Sequence, residues 1–267
     1  MSDATGRGDP CHHPGMDAPA PHRFVAHVIE EAANKIHDDD VAQQFGFTGA
    51  LVPGVELFAR LTTALVEAWG EEWLAGGQVD VRFRRPVYDG EELLVEVADG
   101  GALTATGPDG VVRCLGSAAR TADRPDLTGL GEVAPADRLV ADPVVGPFPS
   151  VHEDVTVEQN EWYLDAVGEP LALYRENAWA HPGMLVKAVH RLLTHNVDLG
   201  PWIHTASDCR FLGVARLPAR VTSHGRVTHV GRRGRNDEVR YDALVLADGE
   251  PVLHVVHTAL YRLGSAG

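Results

Sequence analysis

Residues suited to proton transfer cluster in one short stretch, Asn34-Lys35-Ile36-His37-Asp38-Asp39-Asp40. His37 is the natural acid or base there, because imidazole exchanges protons near neutral pH. Asn34 precedes it by three residues and could orient the imidazole or hold a substrate oxygen. Gly54 lies further on, at the predicted start of a helix, where a backbone N–H can stabilise a developing oxyanion. The stretch therefore offers a base and an oxyanion donor.

The same stretch also has an interpretation that needs no catalysis. The aspartates Asp38–Asp40 could cap the helical turn Val41–Phe45, and His37 could be an ordinary loop histidine. Spacing alone does not separate the two interpretations.

The elements that must position these residues follow in the order of one helix and then antiparallel strands. In LVPGVELFARLTTALVEAW the apolar residues recur at i, i+3, i+4 and i+7, which predicts a buried helix beginning at Pro53-Gly54. Three strand-like runs follow, separated by turn residues: Val79–Val87, Leu93–Ala98 and Val111–Ala119.

The second half of the chain repeats this order. A helix candidate, HPGMLVKAVHRLLTHNV, precedes four strand-like runs, Trp202–Leu212, Ala219–Val230, Val239–Ala247 and Val252–Tyr261. Phe83 lies 29 residues after Gly54, and Phe211 lies 28 residues after Gly183. The matching order and spacing predict an internal duplication. We therefore divide the chain into a flexible tail (1–21), a first repeat (22–120), a linker (121–150) and a second repeat (151–267).

The span NKIHDDDVAQQFGFTGALVPG resembles the hydratase motif of MaoC-like hot-dog proteins. The matching positions are Asn34, Ile36, His37, Asp39, Ala42, Gly46, Phe47 and Gly54. The following VRFRRPVYDGEELLVEV is similar to the strand pair of that family. The resemblance implies an α+β double hot-dog fold, in which each repeat wraps an antiparallel sheet around a long central helix.

The resemblance also implies a reaction, the hydration of a 2-enoyl thioester or the reverse dehydration of a 3-hydroxyacyl thioester. By position, His37 would be the acid/base, Asn34 the orienting residue and Gly54 the oxyanion donor. Asp39 and Val52 would contact the substrate. The substrate would be carried on coenzyme A or on acyl-carrier phosphopantetheine, with no other cofactor and no metal.

The chain departs from the motif at the catalytic aspartate, whose position holds Ala32. Loss of a catalytic carboxylate commonly costs orders of magnitude in rate. Glu30, Glu31 or Asp38 could substitute for it. The departure keeps two other hypotheses open. One is a hot-dog thioesterase, which usually needs a carboxylate on the buried helix, where Glu56 and Glu67 lie. The other is a repurposed or non-catalytic hot dog, such as an accessory subunit or a cyclisation catalyst.

The second repeat lacks the Asn-x-x-His motif, because Ala166 stands at the position equivalent to His37. We expect this half to shape an acyl tunnel and the first half to carry a single site per chain. His181, next to Pro182-Gly183, is a weaker candidate site and could equally be a helix-start residue.

Charge restricts the partners. Lys+Arg 23 against Asp+Glu 38 gives −15, which argues against nucleic acid and against an anionic membrane surface. Arg82, Arg84 and Arg85 form a local exception, and strand alternation places Arg82 and Arg84 on one face. They could bind the phosphate of the carrier or form ordinary surface ion pairs. The run Arg232-Arg233-Gly234-Arg235 is predicted to tip a hairpin.

Three scattered cysteines and the lack of a signal peptide or a long apolar run predict a cytoplasmic protein with buried or incidental thiols. Lys35 and Lys187 are the only lysines among the 23 cations, and this skew, with the high Ala and Gly content, suggests a GC-rich bacterial genome. The adjacent Cys11-His12-His13 lie in the predicted tail and are not expected to bind metal. A fused pair of hot-dog units can act as its own dimer, and a homodimer of the chain is also possible.

Overall fold

One antiparallel sheet of ten strands carries both halves of the chain in a computed structural model that describes residues 20–29, 34–136 and 138–264. The strand order is β1-β3-β4-β5-β2-β7-β10-β9-β8-β6. The strands are β1 His22–Val25, β2 Gln78–Phe83, β3 Glu92–Val97, β4 Ala102–Thr106, β5 Val112–Ala119, β6 Gly146–Val155, β7 Ile203–Phe211, β8 Ala219–Arg233, β9 Asn236–Ala247 and β10 Glu250–Arg262.

The sheet has the pseudo-twofold order expected of a duplicated unit. From either edge the strands follow one pattern, β1-β3-β4-β5-β2 and β6-β8-β9-β10-β7. The halves meet where β2 pairs with β7, and Asp80 lies opposite Asp208 at the centre of that pairing. Phe83 and Phe211 each follow these aspartates by three residues, so the sequence spacing and the sheet register identify the same equivalent positions.

Two long helices lie against this sheet and against each other, α2 (Gly54–Trp69) and α5 (Pro182–Thr194). The apolar face predicted for α2 is buried, with Phe58 and Leu65 fully inaccessible. Shorter helices are α1 (Asp39–Gln44), α3 (Val157–Val167) and α4 (Leu173–Glu176), with 3-10 turns at Lys35–His37 and Glu71–Ala75. No helix among the described residues is long and apolar enough to cross a bilayer.

Several boundaries differ from the sequence prediction. β6 begins at Gly146, inside the segment 121–150 predicted as a linker, so the second unit begins before residue 151. Pro147 and Pro149 hid this strand, and they are tolerated because β6 forms an edge of the sheet. β2 ends at Phe83 rather than Val87, ahead of Pro86. The sequence also did not predict β1, β4, α3 and α4.

The described cysteines, Cys114 and Cys209, are buried free thiols, as predicted. Burial raises the pKa of Cys114 to about 12, so this thiol stays protonated. Cys11-His12-His13, Glu30, Glu31 and Ala32 lie outside the described residues.

A buried network joins the two helices at the start of α5. Glu169 Oε2 lies 3.1 Å from His181 Nε2 and accepts a hydrogen bond from the Thr63 hydroxyl of α2. Burial raises the pKa of Glu169, but the hydrogen bonds from His181 and Thr63 outweigh it and hold this pKa below 4.5. The network therefore favours the ionised carboxylate.

Replacing Glu169 with alanine is expected to lower the free energy of unfolding by about 2–6 kcal/mol, because the buried His181 and Thr63 donors each lose their acceptor at about 1–3 kcal/mol. Urea unfolding would measure the change, with exposed Glu161→Ala on α3 as the control. A folded-state pKa below 4.5 means that the contribution is present above that pH and is lost as the pH falls. Equal stabilities of the two variants at pH 7 would contradict this prediction.

Candidate active site

His37 is held at the end of the 3-10 turn with one ring nitrogen already used. Its Nδ1 lies 2.6 Å from the Leu51 carbonyl oxygen and donates to it, which leaves Nε2 for chemistry. Burial lowers the pKa of His37, the Leu51 bond opposes this effect, and the charge of Lys187 lowers it further. The imidazole is therefore neutral near pH 7 and can accept a proton.

Asp38 and Asp39 bind backbone N–H groups, as the interpretation without catalysis predicts. Asp38 caps α1 by accepting from the Val41 N–H at 3.1 Å. Asp39 Oδ1 accepts from the Ala50 N–H at 2.7 Å, which fixes the loop before α2. Asp39, predicted to contact substrate, lines neither of the cavities that His37 lines. Its carboxylate is instead used inside the loop.

Gly54 begins α2 at an N-terminus that no side chain caps. The N–H groups of a first helical turn have no partner within the helix. The backbone N–H of Gly54 is therefore available to a ligand. A Cβ at Gly54 would lie 3.0 Å from both His204 Nδ1 and Phe83 Cε2, which explains why glycine stands here.

The equivalent helix start in the second repeat is closed. His181 Nδ1 accepts from the Gly183 N–H at 3.0 Å, and the His181 side chain is fully buried. His181, the weaker site candidate, is thus the N-cap of α5. Of the two equivalent helix starts, only the one at Gly54 keeps its glycine N–H free of a capping side chain.

His37, Asn34 and Gly54 all line one cavity of 340 Å³ between the two repeats. Its walls come from both repeats: Asn34, Ile36, His37, Phe47, Leu51, Val52, Pro53, Gly54, Leu57, Phe83, Arg84, Arg85, Pro86, Val87, His190, Trp202, Ile203, His204, Thr205, Arg233, Asn236 and Leu260. A second cavity of 420 Å³ shares His37 and His190 with the first. His37 therefore lies where the two cavities meet.

Asn34 forms hydrogen bonds with the backbone of the second repeat. Its Nδ2 donates to the Trp202 carbonyl at 2.7 Å, and its Oδ1 accepts from the Trp202 N–H at 3.2 Å. Oδ1 also accepts from the Ile36 N–H at the start of the 3-10 turn. Asn34 thereby fixes the His37 loop against the second repeat, which makes it a positioning residue.

The arginine cluster divides between two surfaces. Arg84 and Arg85 are exposed, line the 340 Å³ cavity and make no ion pair within the described parts of the chain. Arg82 lies outside that cavity, and its guanidinium is 2.6 Å from Asp80 Oδ1. Arg233 lines the cavity from the β8–β9 hairpin. Of the predicted pair Arg82 and Arg84, only Arg84 lines this cavity. The other arginines that line it are Arg85 and Arg233.

The two helix carboxylates have different surroundings. Glu56 is buried, lines the second cavity together with His37, and lies 2.9 Å from Lys187 Nζ. Glu67 pairs with His22 Nδ1 at 3.0 Å and lines neither cavity. Only Glu56 is therefore placed to share a substrate with His37.

Sequence reasoning missed the histidines of the second repeat. His190 on α5 and His204 on β7 both line the cavity opposite His37. The available signal was His190 on the apolar face of its helix, one turn after Lys187. Neither residue belongs to a motif.

Two helix-backed halves of one continuous antiparallel sheet, with a cavity between them, define a double hot-dog protein. Solved structures similar to this chain support that fold. A protein from Chloroflexus aurantiacus described as a MaoC domain dehydratase has a TM-score of 0.57 at 13% identity, over 86% of this chain and 88% of its own. A MaoC-like dehydratase has a TM-score of 0.54 at 14% identity, over 91% and 98%.

A conserved hypothetical protein of Mycobacterium tuberculosis with a double hotdog fold has a TM-score of 0.56 at 16% identity, over 90% of this chain and 96% of its own. These likenesses confirm the predicted α+β double hot-dog fold and the structural resemblance to MaoC-like proteins. No family model matches the sequence, and no curated protein matches it significantly.

Proposed function

We propose that this protein is an enzyme that adds water to a 2-enoyl thioester or removes it from a 3-hydroxyacyl thioester. One observation carries the proposal: a neutral histidine with a free Nε2 and an uncapped helix N-terminus line the same cavity. Such a pair supplies a general base and an oxyanion donor, the two parts that this reaction needs.

The proton balance needs only one acid/base group. The His37 imidazole takes a proton from water as the water oxygen bonds to C3 and the C2=C3 π pair moves toward the thioester carbonyl. The Gly54 N–H and the positive end of the α2 dipole stabilise the enolate oxygen. The His37 imidazolium then returns a proton to C2. This route assigns no role to the position of Ala32.

The cavity surfaces favour a carrier thioester. Apolar side chains line the interior, including Ile36, Leu51, Val52, Leu57 and Leu260, while exposed Arg84 and Arg85 supply positive charge. Guanidinium groups bind phosphate through paired hydrogen bonds. This arrangement supports coenzyme A or acyl-carrier phosphopantetheine as the carrier, with the acyl chain inside.

The direct test incubates the protein with crotonyl-CoA and longer 2-enoyl-CoA esters. Mass spectrometry would detect 3-hydroxyacyl-CoA, and a thiol reagent would detect free coenzyme A. Formation of the hydroxy product without thiol release is the expected result. Silence in both assays over the whole panel would overturn the proposal in favour of a repurposed hot dog.

Glu56 favours a thioesterase as the second candidate function. A buried carboxylate that lines a cavity with His37 could activate water for attack on the thioester carbonyl, releasing acid and thiol. Thiol release that disappears in Glu56→Gln, with no hydroxy product in the wild type, would establish this alternative.

Replacing Arg84 and Arg85 together with glutamine is expected to raise KM for an enoyl-CoA at least about 10-fold and to leave kcat nearly unchanged. The reason is that two charge-assisted contacts to carrier phosphate are lost. Steady-state kinetics would measure this effect. Arg82→Gln is the matched control, because Arg82 is paired with Asp80 outside the cavity.

An enoyl thioester of N-acetylcysteamine, which lacks phosphate, should show no difference between the wild type and the double variant. Equal KM changes in the double variant and in Arg82→Gln would contradict this phosphate-binding assignment.

A further inference from the structure

Three histidines from three elements of the second repeat form a cluster beside the proposed active site. They are His190 on α5, His204 on β7 and His257 on β10. Their ring centroids are 4.9 Å (190–204), 4.8 Å (190–257) and 4.2 Å (204–257) apart. His204 and His257 are buried, and His190 is partly covered. The proposed reaction uses none of them.

Each ring in this cluster has one nitrogen without a partner. His190 Nε2, His204 Nδ1 and His257 Nε2 are buried and find no hydrogen-bond partner among the described residues. A buried polar atom left unpaired costs about 1–3 kcal/mol, so three of them in one place are costly unless a ligand binds them. One candidate nitrogen from each ring lies within 4.8 Å of the other two.

Ser207 can set the tautomers that a ligand would need. Its hydroxyl oxygen lies 2.8 Å from His204 Nε2 and 2.9 Å from His257 Nδ1. A hydroxyl oxygen has two lone pairs and can accept an N–H from both rings. The far nitrogen of each ring, His204 Nδ1 and His257 Nε2, then carries a lone pair. Such hydrogen bonds to the second nitrogen are typical of metal-binding histidines.

The local charges permit a cation. The cations near His190 are Lys187 and Arg191. Each lies in an ion pair, Lys187 with Glu56 and Arg191 with Glu153, and the partner carboxylate offsets part of its repulsion for a bound cation.

We propose that His190, His204 and His257 bind one divalent transition-metal ion of the zinc class. Imidazole is a preferred ligand of Zn²⁺, Co²⁺, Ni²⁺ and Cu²⁺. Zinc–nitrogen bonds of about 2.0–2.1 Å need nitrogens about 3.4 Å apart, so the rings close inward by about 1 Å on binding. His190 and His204 also line the cavity, so a further ligand of the ion would enter from that space.

Metal binding tests this proposal without any substrate, so its outcome is independent of the hydratase assays. Chelator-treated protein would be titrated with Zn²⁺ by calorimetry and with Co²⁺ by visible spectroscopy. The expected results are one ion per chain and the intense visible bands of a tetrahedral Co²⁺ site.

Variants locate the ion. His257→Gln and His204→Gln should each weaken binding at least about 100-fold, and Ser207→Ala should weaken it about 10–100-fold. The controls are His229→Gln, an exposed histidine outside the cluster, and the double substitution His12→Gln with His13→Gln. Binding unaffected by His257→Gln, or lost in either control, would overturn the proposal.

Folding is checked on the metal-free proteins by thermal unfolding. Added Zn²⁺ should raise the Tm of the wild type and of Ser207→Ala, because a ligand of the native state stabilises it. It should leave the Tm of His204→Gln and His257→Gln unchanged. A wild-type Tm that responds to none of Zn²⁺, Co²⁺, Ni²⁺ and Cu²⁺ would reject the site.

Discussion

Replacing His37 with alanine is expected to lower kcat/KM for enoyl-thioester hydration about 100- to 10,000-fold. General acid–base catalysis by a positioned side chain contributes an effect of this size. His37 carries both proton transfers in the proposed route, and the motif aspartate that could assist it is alanine in this chain. The remaining activity would come from the oxyanion donor and from substrate binding.

The control for this variant is Lys35→Ala. Lys35 lies in the same 3-10 turn and is exposed, so it reports on disturbance of the turn without removing a base. His37→Ala also removes the hydrogen bond to the Leu51 carbonyl, and thermal unfolding must show that the protein remains folded. A folded His37→Ala protein with wild-type kcat/KM would contradict the assignment of His37.

The segment from Asn34 to Gly54 shows how much of the candidate site could be predicted from the sequence. Residue types and spacing predicted that His37 and Gly54 share a site, because a short segment that includes α1 separates them and a helix start fixes the glycine. They did not reveal the role of Asn34, since its partner Trp202 is 168 residues away. Only the packed pair of repeats brings these two residues together.

The arginines show a similar limit: alternation along a strand predicts the face on which a side chain lies but not its ion-pair partners. It placed Arg82 and Arg84 on one face but did not show that Asp80 neutralises Arg82. Nor could it show that Arg233 of the second repeat lines the same cavity as Arg84. The sequence accordingly predicted a basic cluster near the site and misassigned one of its members.

The histidine cluster was missed in the sequence for the same reason. Metal motifs are recognised in a sequence when ligands are close together, whereas His190, His204 and His257 lie on a helix and on two separate strands. Pairing of β7 with β10 places His204 and His257 side by side, and packing of α5 on the sheet adds His190. Clusters of this kind depend on tertiary structure alone.

Gly54 and Gly183 stand at equivalent helix starts of the two repeats, so the same substitution can be compared at both. Gly54→Ala is expected to lower kcat about 100-fold, because its Cβ forces apart the groups around the oxyanion donor. That Cβ lies 3.0 Å from His204 Nδ1 and from Phe83 Cε2, contacts that a shift of a few tenths of an ångström would relieve. A relief of this size needs little rearrangement, so the loss of stability should be small.

Gly183→Ala should behave in the opposite way. Its Cβ would lie 2.1 Å from the Tyr163 hydroxyl oxygen and 2.9 Å from Tyr163 Cζ, on a fully buried ring that cannot swing aside. Overpacking of this kind costs about 1–3 kcal/mol or more, and it occurs at a helix start whose N–H is already capped by His181. Gly183→Ala is therefore expected to lose stability, while its folded fraction keeps its turnover number.

Urea unfolding and single-turnover hydration of both variants, with active protein counted by titration, would measure the two effects separately. A Gly54→Ala protein that hydrates at the wild-type rate would remove the helix start from the mechanism and leave His37 without its oxyanion donor. A Gly183→Ala protein that is stable but inactive would place the reaction at the second repeat. We expect neither of these two results. The helix start at Gly54 is open and the one at Gly183 is capped by His181, so the proposed reaction takes place at the first repeat.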